Sequence, residues 1–199
     1  MKIIFLTNND ISLEVYNYLL GSEEVILIEE RLTLEKVKEI EPEFIISYNY
    51  KHLIKKDIID YMKGKIINLH ISLLPWNRGA SPNLWSFLED TPKGVTIHLI
   101  DEGIDTGNIL VQKEVSFNEE KESLKTSYFK LHDEMQQLFK ENWNKISTGV
   151  VEPKPQIGKG SIHFVKELHE LEGIIENWDI TIAELKTKYY EVKGEKNGK

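Results

Sequence analysis

Three polar residues stand at the ends of apolar runs, and their types suit acyl transfer. Asn68 and His70 follow Lys65-Ile66-Ile67, within Asn68-Leu69-His70-Ile71-Ser72-Leu73-Leu74-Pro75. Asp105 lies in Asp101-Glu102-Gly103-Ile104-Asp105-Thr106-Gly107, after the run Val95 to Ile100. An amide and an imidazole can donate to an oxyanion, and a carboxylate can orient the imidazole and manage a proton. Taken singly, each is equally well a satisfied polar residue at a strand end, or a turn former before Gly107. Together in this spacing, Asn68, His70 and Asp105 make the candidate catalytic set. His98, in Gly94-Val95-Thr96-Ile97-His98, is either a hydrogen-bond support for the carboxylate or a buried, satisfied histidine. The chemistry needs no covalent enzyme intermediate, which agrees with a chain that has no cysteine.

Other motifs fall away. The first apolar run leads into Thr7-Asn8-Asn9-Asp10, not into the glycine-rich turn of a dinucleotide site. Gly158-Lys159-Gly160-Ser161 lacks the upstream glycine of a phosphate loop and has no Ser or Thr directly after the lysine. Ser72 has no glycine elbow around it and reads as a turn residue beside the site. His70, His98, Asp101 and Asp105 could converge on a metal. None is paired at close helical spacing, and acyl transfer by this set needs no Lewis acid, so no metal is expected.

The elements that must position these groups alternate strand and helix. Ile3 to Leu6, Val25 to Ile28, Phe44 to Ser47 and Ile66 to Leu69 read as strands. Between them lie helices over Ile11 to Leu20, from a Thr33 cap through Leu34, Val37 and Ile40 to Pro42, and over Asp57 to Met62. Pro82 to Leu88 suits a helix with proline in its first turn. Val95 to Ile100 and Ile109 to Val115 are joined too closely for a parallel crossover, so they pair antiparallel at a sheet edge. The fold class is α/β, a Rossmann-like, mostly parallel doubly wound sheet. A long helix follows from about Ser123 to Ser147, with Leu124, Tyr128, Leu131, Met135, Leu138, Trp143 and Ile146 as a core-facing stripe. The expected organisation is a catalytic domain over 1–150 and an extension over 151–199 packing on it. Ile182 to Tyr190 forms a last helix, and the tail 193–199 is disordered. Trp178, Tyr189 and Tyr190 offer exposed aromatics that could cover a partner.

Composition narrows the functional classes. The chain has 199 residues, 40% hydrophobic and 29% charged, with a formal net charge of -8. That is the make-up of a globular domain with a real core. Its negative charge argues against a broad nucleic-acid footprint. No apolar run approaches the roughly 20 residues of a membrane span, and the N-terminus turns polar too soon for a signal peptide. The expected location is therefore the cytoplasm.

The segment Asn68 to Pro82, continuing as Trp76-Asn77-Arg78-Gly79-Ala80-Ser81-Pro82, together with Gly94 to His98 and Asp101 to Gly107, resembles the signature of the folate-dependent formyltransferases. The likeness covers roughly Met1 to Ser147 in segment order. In Trp76-Asn77-Arg78-Gly79 and Asn83-Leu84-Trp85-Ser86-Phe87 it is most similar to small bacterial sugar-nucleotide N-formyltransferases and to the formylation domain of linear gramicidin synthetase. The resemblance implies that Asn68, His70 and Asp105 are catalytic and that 10-formyltetrahydrofolate is the donor co-substrate. It also implies that the pterin is held by the segment Lys51 to Ile54 and the loop Asp101-Glu102-Gly103-Ile104. Leu53, Ile54, Leu74 and Ile104 are its candidate apolar walls, or else plain core.

The acceptor amine is read from the remaining features. The family's transfer-RNA enzymes carry a further C-terminal domain and basic surface, whereas here only the segment 150–199 follows the long helix. Glycinamide ribonucleotide is disfavoured because Asn8-Asn9-Asp10 offers no glycine-rich phosphate loop. A nucleotide-linked amino sugar is the expected acceptor, with Asn8 and Asn9 for hydrogen bonds, Trp76 for stacking and Arg78 for an anion. Arg78 equally suits bracing its own loop. The alternatives are an aminoacyl group on a peptide-synthetase carrier and methionyl-tRNA.

Overall fold

Alternate residues of the first strand enter different cores. Ile3 and Phe5 of β1 (Lys2–Leu6) join one apolar cluster, and Ile4 and Leu6 join another on the opposite face. This is the two-residue period of extended backbone buried on both sides. The computed structural model describes residues 1–171, 174–175 and 177–197. Its main sheet adds β2 (Glu24–Ile28), β3 (Phe44–Tyr48), β4 (Ile66–His70), β6 (Gly94–Leu99) and β7 (Ile109–Glu114), in the order β2-β1-β3-β4-β6-β7. β1 to β4 run parallel, and β6 is antiparallel to both β4 and β7. The expected doubly wound, mostly parallel sheet is what forms, with its antiparallel strands at one edge.

Helices cover both faces. One face carries α2 (Leu34–Ile40) and α3 (Lys56–Met62), whose Val37, Ile40, Ile58 and Met62 pack with Ile45 and Ile66. The other carries α1 (Leu13–Leu20) and the long α5 (Leu124–Ser147). Ser123 caps α5 by accepting from the Thr126 N–H while the Thr126 hydroxyl accepts from the Ser123 N–H, so both ends of the turn are satisfied. Leu131, Met135, Leu138, Trp143 and Ile146 face the sheet as the periodicity requires. Tyr128 packs at the edge of that core. It is half-buried and turns toward the rim where β3 and β4 end.

The chain after α5 folds back over the site. A two-stranded parallel pair joins β5 (Arg78–Gly79) to β8 (Ile162–His163). Beyond α6 (Val165–Leu168), α7 (Ile182–Asn197) places Ile182, Leu185 and Tyr189 against Leu84, Trp85 and Leu88 of α4 (Pro82–Leu88). The segment 193–197, read from sequence as a disordered tail, instead continues α7; Lys193, Glu195 and Lys196 are good helix formers. Residues 198 and 199 lie outside the described residues. The exposed-aromatic reading holds for Trp178 and Tyr190, which are 55% and 49% exposed, but not for Tyr189. Tyr189 is buried, the Tyr190 hydroxyl donates to the Leu88 carbonyl at 3.1 Å, and Trp178 faces a cavity. No helix among the described residues is long and apolar enough to cross a membrane.

Candidate active site

The parallel strands deliver their polar residues to one rim. β3 and β4 are in register from Ile45↔Ile66 to Tyr48↔Leu69, so Asn49, Asn68 and His70 come up together. β6 runs the other way beside β4 and sets His98 directly opposite Asn68. The loop between β6 and β7 then returns Asp105 over the same spot. That return needs glycine at position 107: an added Cβ would lie 1.8 Å from the Leu99 carbonyl oxygen.

Asp105 is the hub. Its Oδ1 accepts from Asn68 Nδ2 at 3.1 Å, and its Oδ2 accepts from the Gly79 N–H at 2.8 Å. His70 Nδ1 is 3.7 Å from Oδ2, and His98 Nε2 is 3.5 Å from Oδ1. Burial alone would raise the Asp105 carboxyl. The His70 and His98 rings and the Gly79 N–H outweigh it and hold the group well below its ordinary value, so it is a carboxylate at neutral pH.

The ring nitrogens are fixed by what lies behind them. His70 Nε2 meets the Asn77 carbonyl at 3.0 Å, and His98 Nδ1 meets the Leu99 carbonyl at 2.8 Å. A carbonyl only accepts, so both of these nitrogens carry hydrogen. His70 therefore turns Nδ1 to the site, and His98 turns Nε2. In its neutral form His98 accepts from Asn68 Nδ2 at 3.3 Å. With His98 neutral, Asn68 donates to both Asp105 and His98. In this arrangement Asn68 aims the Asp105 carboxylate.

Two cavities meet at this cluster, and Asn68 and Asp105 stand in the wall of both. The smaller, about 180 Å³, is bordered by Ile54, His98 and the loop Asp101-Glu102-Gly103-Ile104. The loop shapes itself: Asp101 Oδ1 accepts from the Gly103 N–H at 3.1 Å and the Thr106 hydroxyl at 2.6 Å, and Glu102 pairs with Lys56. Leu53 borders both cavities and is 72% exposed, so it is no core residue. Lys51 is on the larger cavity only. Leu74 is 2% exposed and lines neither; its N–H is tied to the Thr96 hydroxyl beneath the turn.

The larger cavity, about 570 Å³, has walls that the sequence reading missed. His70, Asp105 and Tyr128 border it, joined by His163, Phe164 and Trp178 from the folded-back chain. His163 stacks on Trp85 with ring centroids 4.1 Å apart and faces Glu89 through Nε2 at 3.2 Å. Phe164 and Trp178 are 43% and 55% exposed. Asn8, Asn9, Trp76 and Arg78, expected to meet the acceptor, line neither cavity. Asn8 bridges strand ends, accepting from the Lys51 N–H and donating to the Glu29 carbonyl. Asn9 donates to the Tyr128 hydroxyl at 2.9 Å, and the Trp76 carbonyl accepts from Ser72 at 2.6 Å. Arg78 is committed to Gln156. These contacts brace the rim.

The fold is α/β, with an amide, imidazole and carboxylate cluster at the rim of its sheet, and its family is shown by its relatives. The chain belongs to the formyl transferase family, whose model "Formyl transferase" matches residues 25–142. It is 41% identical to the formyltransferase PseJ of Anoxybacillus kamchatkensis, solved in complex with UDP-4,6-dideoxy-4-formamido-L-AltNAc and tetrahydrofolate. That likeness has a TM-score of 0.85 and covers 93% of this chain and 97% of the other. A methionyl-tRNA formyltransferase of Thermodesulfovibrio yellowstonii is 40% identical over 147 residues, 73% of this chain but 46% of its own length. The chain thus spans about half the length of that curated relative. A 4-N formyltransferase of Francisella tularensis, 21% identical with a TM-score of 0.76 over 93% and 86% of the two chains, shares the fold.

Proposed function

We propose that this protein moves a formyl group from 10-formyltetrahydrofolate to the amine of a nucleotide-linked amino sugar. The observation that carries the reading is the pair of cavities sharing Asn68 and Asp105 as a common wall. A donor in one and an acceptor in the other would meet at the carboxylate. The smaller cavity suits a pterin, with apolar Ile54 and a loop presenting backbone edges.

The residues divide the work as follows. As the amine attacks the formyl carbon, a C–N bond forms and negative charge grows on the formyl oxygen. His70, its ring held by the Asn77 carbonyl, directs Nδ1 to that oxygen when protonated, a contact of a kind that contributes about 3 kcal/mol. The attacking nitrogen becomes far more acidic, so Asp105 can take its proton although its own carboxyl is held low. A protonated Asp105 accepts poorly, which frees the Asn68 N–H to turn to the oxyanion. The bond from carbon to the folate nitrogen then breaks, and that nitrogen receives the proton.

Three features support a sugar nucleotide as acceptor. The likeness to PseJ spans nearly all of both chains. The net charge of -8 opposes transfer RNA. Phe164 and Trp178 leave aromatic faces open to the larger cavity, suited to a nucleobase. The test is a formyl-transfer assay with 10-formyltetrahydrofolate against UDP-, dTDP- and GDP-linked amino sugars, a carrier-bound aminoacyl group and methionyl-tRNA. Turnover confined to one of the last two would replace the sugar reading.

A further inference from the structure

Gln156 lies outside every motif of the sequence, yet its side-chain amide is spent wholly on the Asp105 loop and its brace. Its Nε2 donates to the Asp105 carbonyl at 2.7 Å and to the Gly107 carbonyl at 2.9 Å. Its Oε1 accepts from Arg78 Nε at 3.0 Å and Nη2 at 2.7 Å. The fork of a guanidinium only donates, so Arg78 fixes which way the amide faces. The residue after Arg78 is Gly79, whose N–H holds Asp105 Oδ2 at 2.8 Å. The contacts close a ring through Arg78, Gln156, Asp105 and Gly79.

The ring has something to hold. Asp105 has φ +52°, a left-handed conformation that a non-glycine residue keeps only when its surroundings fix it. Ile100 still bonds to Ile66 of β4 and Asn108 to Leu99 of β6, but residues 101 to 107 between them belong to no strand. The two hydrogen bonds from Gln156 span the turn on either side of Thr106.

We propose that Gln156 is a positioning residue for the Asp105 carboxylate, with Arg78 orienting its amide. The role rests on the reading of Asp105 as proton acceptor in formyl transfer. Gln156 does not border either cavity and acts through the main chain of the loop. Arg78, which the sequence offers as an anion contact, works behind the site instead. The segment following α5 is thereby tied to the reaction centre.

Two variants separate this role from mere packing. Gln156→Glu keeps an acceptor for Arg78 but cannot donate to the two carbonyls. Arg78→Lys keeps the charge and all of Gln156 but loses the fork. The expected result for Gln156→Glu is a kcat roughly tenfold lower or more, with both KM values within about twofold, because a misplaced reacting group costs rate more than binding. Arg78→Lys gives the same pattern more weakly. A second readout needs no activity: a carbon-13 NMR titration of the Asp105 carboxyl, which should move up toward the ordinary aspartate range in Gln156→Glu as the Gly79 contact loosens. Wild-type kcat and wild-type Asp105 titration in Gln156→Glu would overturn the proposal. A wild-type enzyme inactive on every acceptor would overturn the proposed function, and the titration would still decide the role of Gln156.

Discussion

Asn68 Nδ2 and Asp105 Oδ1 meet at 3.1 Å, joining the end of a parallel strand to the loop of an antiparallel pair. Both residues border the smaller cavity and the larger one. Donor and acceptor would therefore be brought together by a single amide–carboxylate contact, which also sets where the proton goes.

Replacing Asn68 or His70 by alanine should lower kcat by a factor on the order of a hundred, with smaller effects on the folate KM. Both side chains act chiefly as charge develops. Steady-state kinetics with the donor varied at saturating acceptor checks this, and near-normal kcat in Asn68→Ala would remove it from the reaction.

Gly79→Ala should damage the site and the fold together. Gly79 has φ +84°, and an added Cβ would lie 2.3 Å from the His163 carbonyl oxygen. Strain at such a position costs about 1–3 kcal/mol, and the β5–β8 pair must shift to relieve it. Thermal unfolding should show a Tm lower by several degrees, with kcat reduced because the Gly79 N–H holds Asp105. An unchanged Tm would show that the loop yields freely.

Phe164→Ala and Trp178→Ala should raise the acceptor KM roughly tenfold each, the equivalent of about 1–3 kcal/mol of base stacking. The folate KM should stay within error, since neither residue borders the smaller cavity. A rise in the folate KM alone would assign the aromatic wall to the donor.

Acid should weaken the fold before it reaches Asp105. His132 is fully buried beside Tyr48 and Tyr128, and burial pushes its pKa down to about 4. The unfolded chain binds that proton near pH 6.5, so stability is full above 6.5 and is lost as pH falls toward 4. The loss amounts to about 3 kcal/mol. Asp105, held low, adds stability that is lost only below its unfolded value near 4. Urea unfolding at pH 7, 6, 5 and 4.5 should show the decline, and His132→Phe should flatten it. A wild-type stability independent of pH from 6.5 to 4.5 would refute this origin.

What the sequence made legible follows from periodicity. The sheet, α5 and the cluster of Asn68, His70, His98 and Asp105 sit on apolar runs long enough to declare themselves. The wall formed by His163, Phe164 and Trp178 does not, because it hangs on a two-residue strand pair between positions about eighty residues apart. Two residues carry no period. Arg78 and Asn8 stayed ambiguous for another reason: a polar residue near a site reads the same whether it meets substrate or braces a turn. Gln156 gave no signal at all, since a lone glutamine after Pro153 and Pro155 looks like any loop residue.

The central claim is formyl transfer to a nucleotide-linked amine, with Asp105 as proton acceptor. The most direct measurement is product formation from 10-formyltetrahydrofolate and a UDP-linked 4-amino sugar by the wild type and by Asp105→Asn, with tetrahydrofolate binding followed in parallel. The expected result is full conversion by the wild type, and a kcat at least on the order of a hundredfold lower in Asp105→Asn with folate binding kept. Comparable turnover by Asp105→Asn, or no formylation of any sugar nucleotide by the wild type, would contradict it.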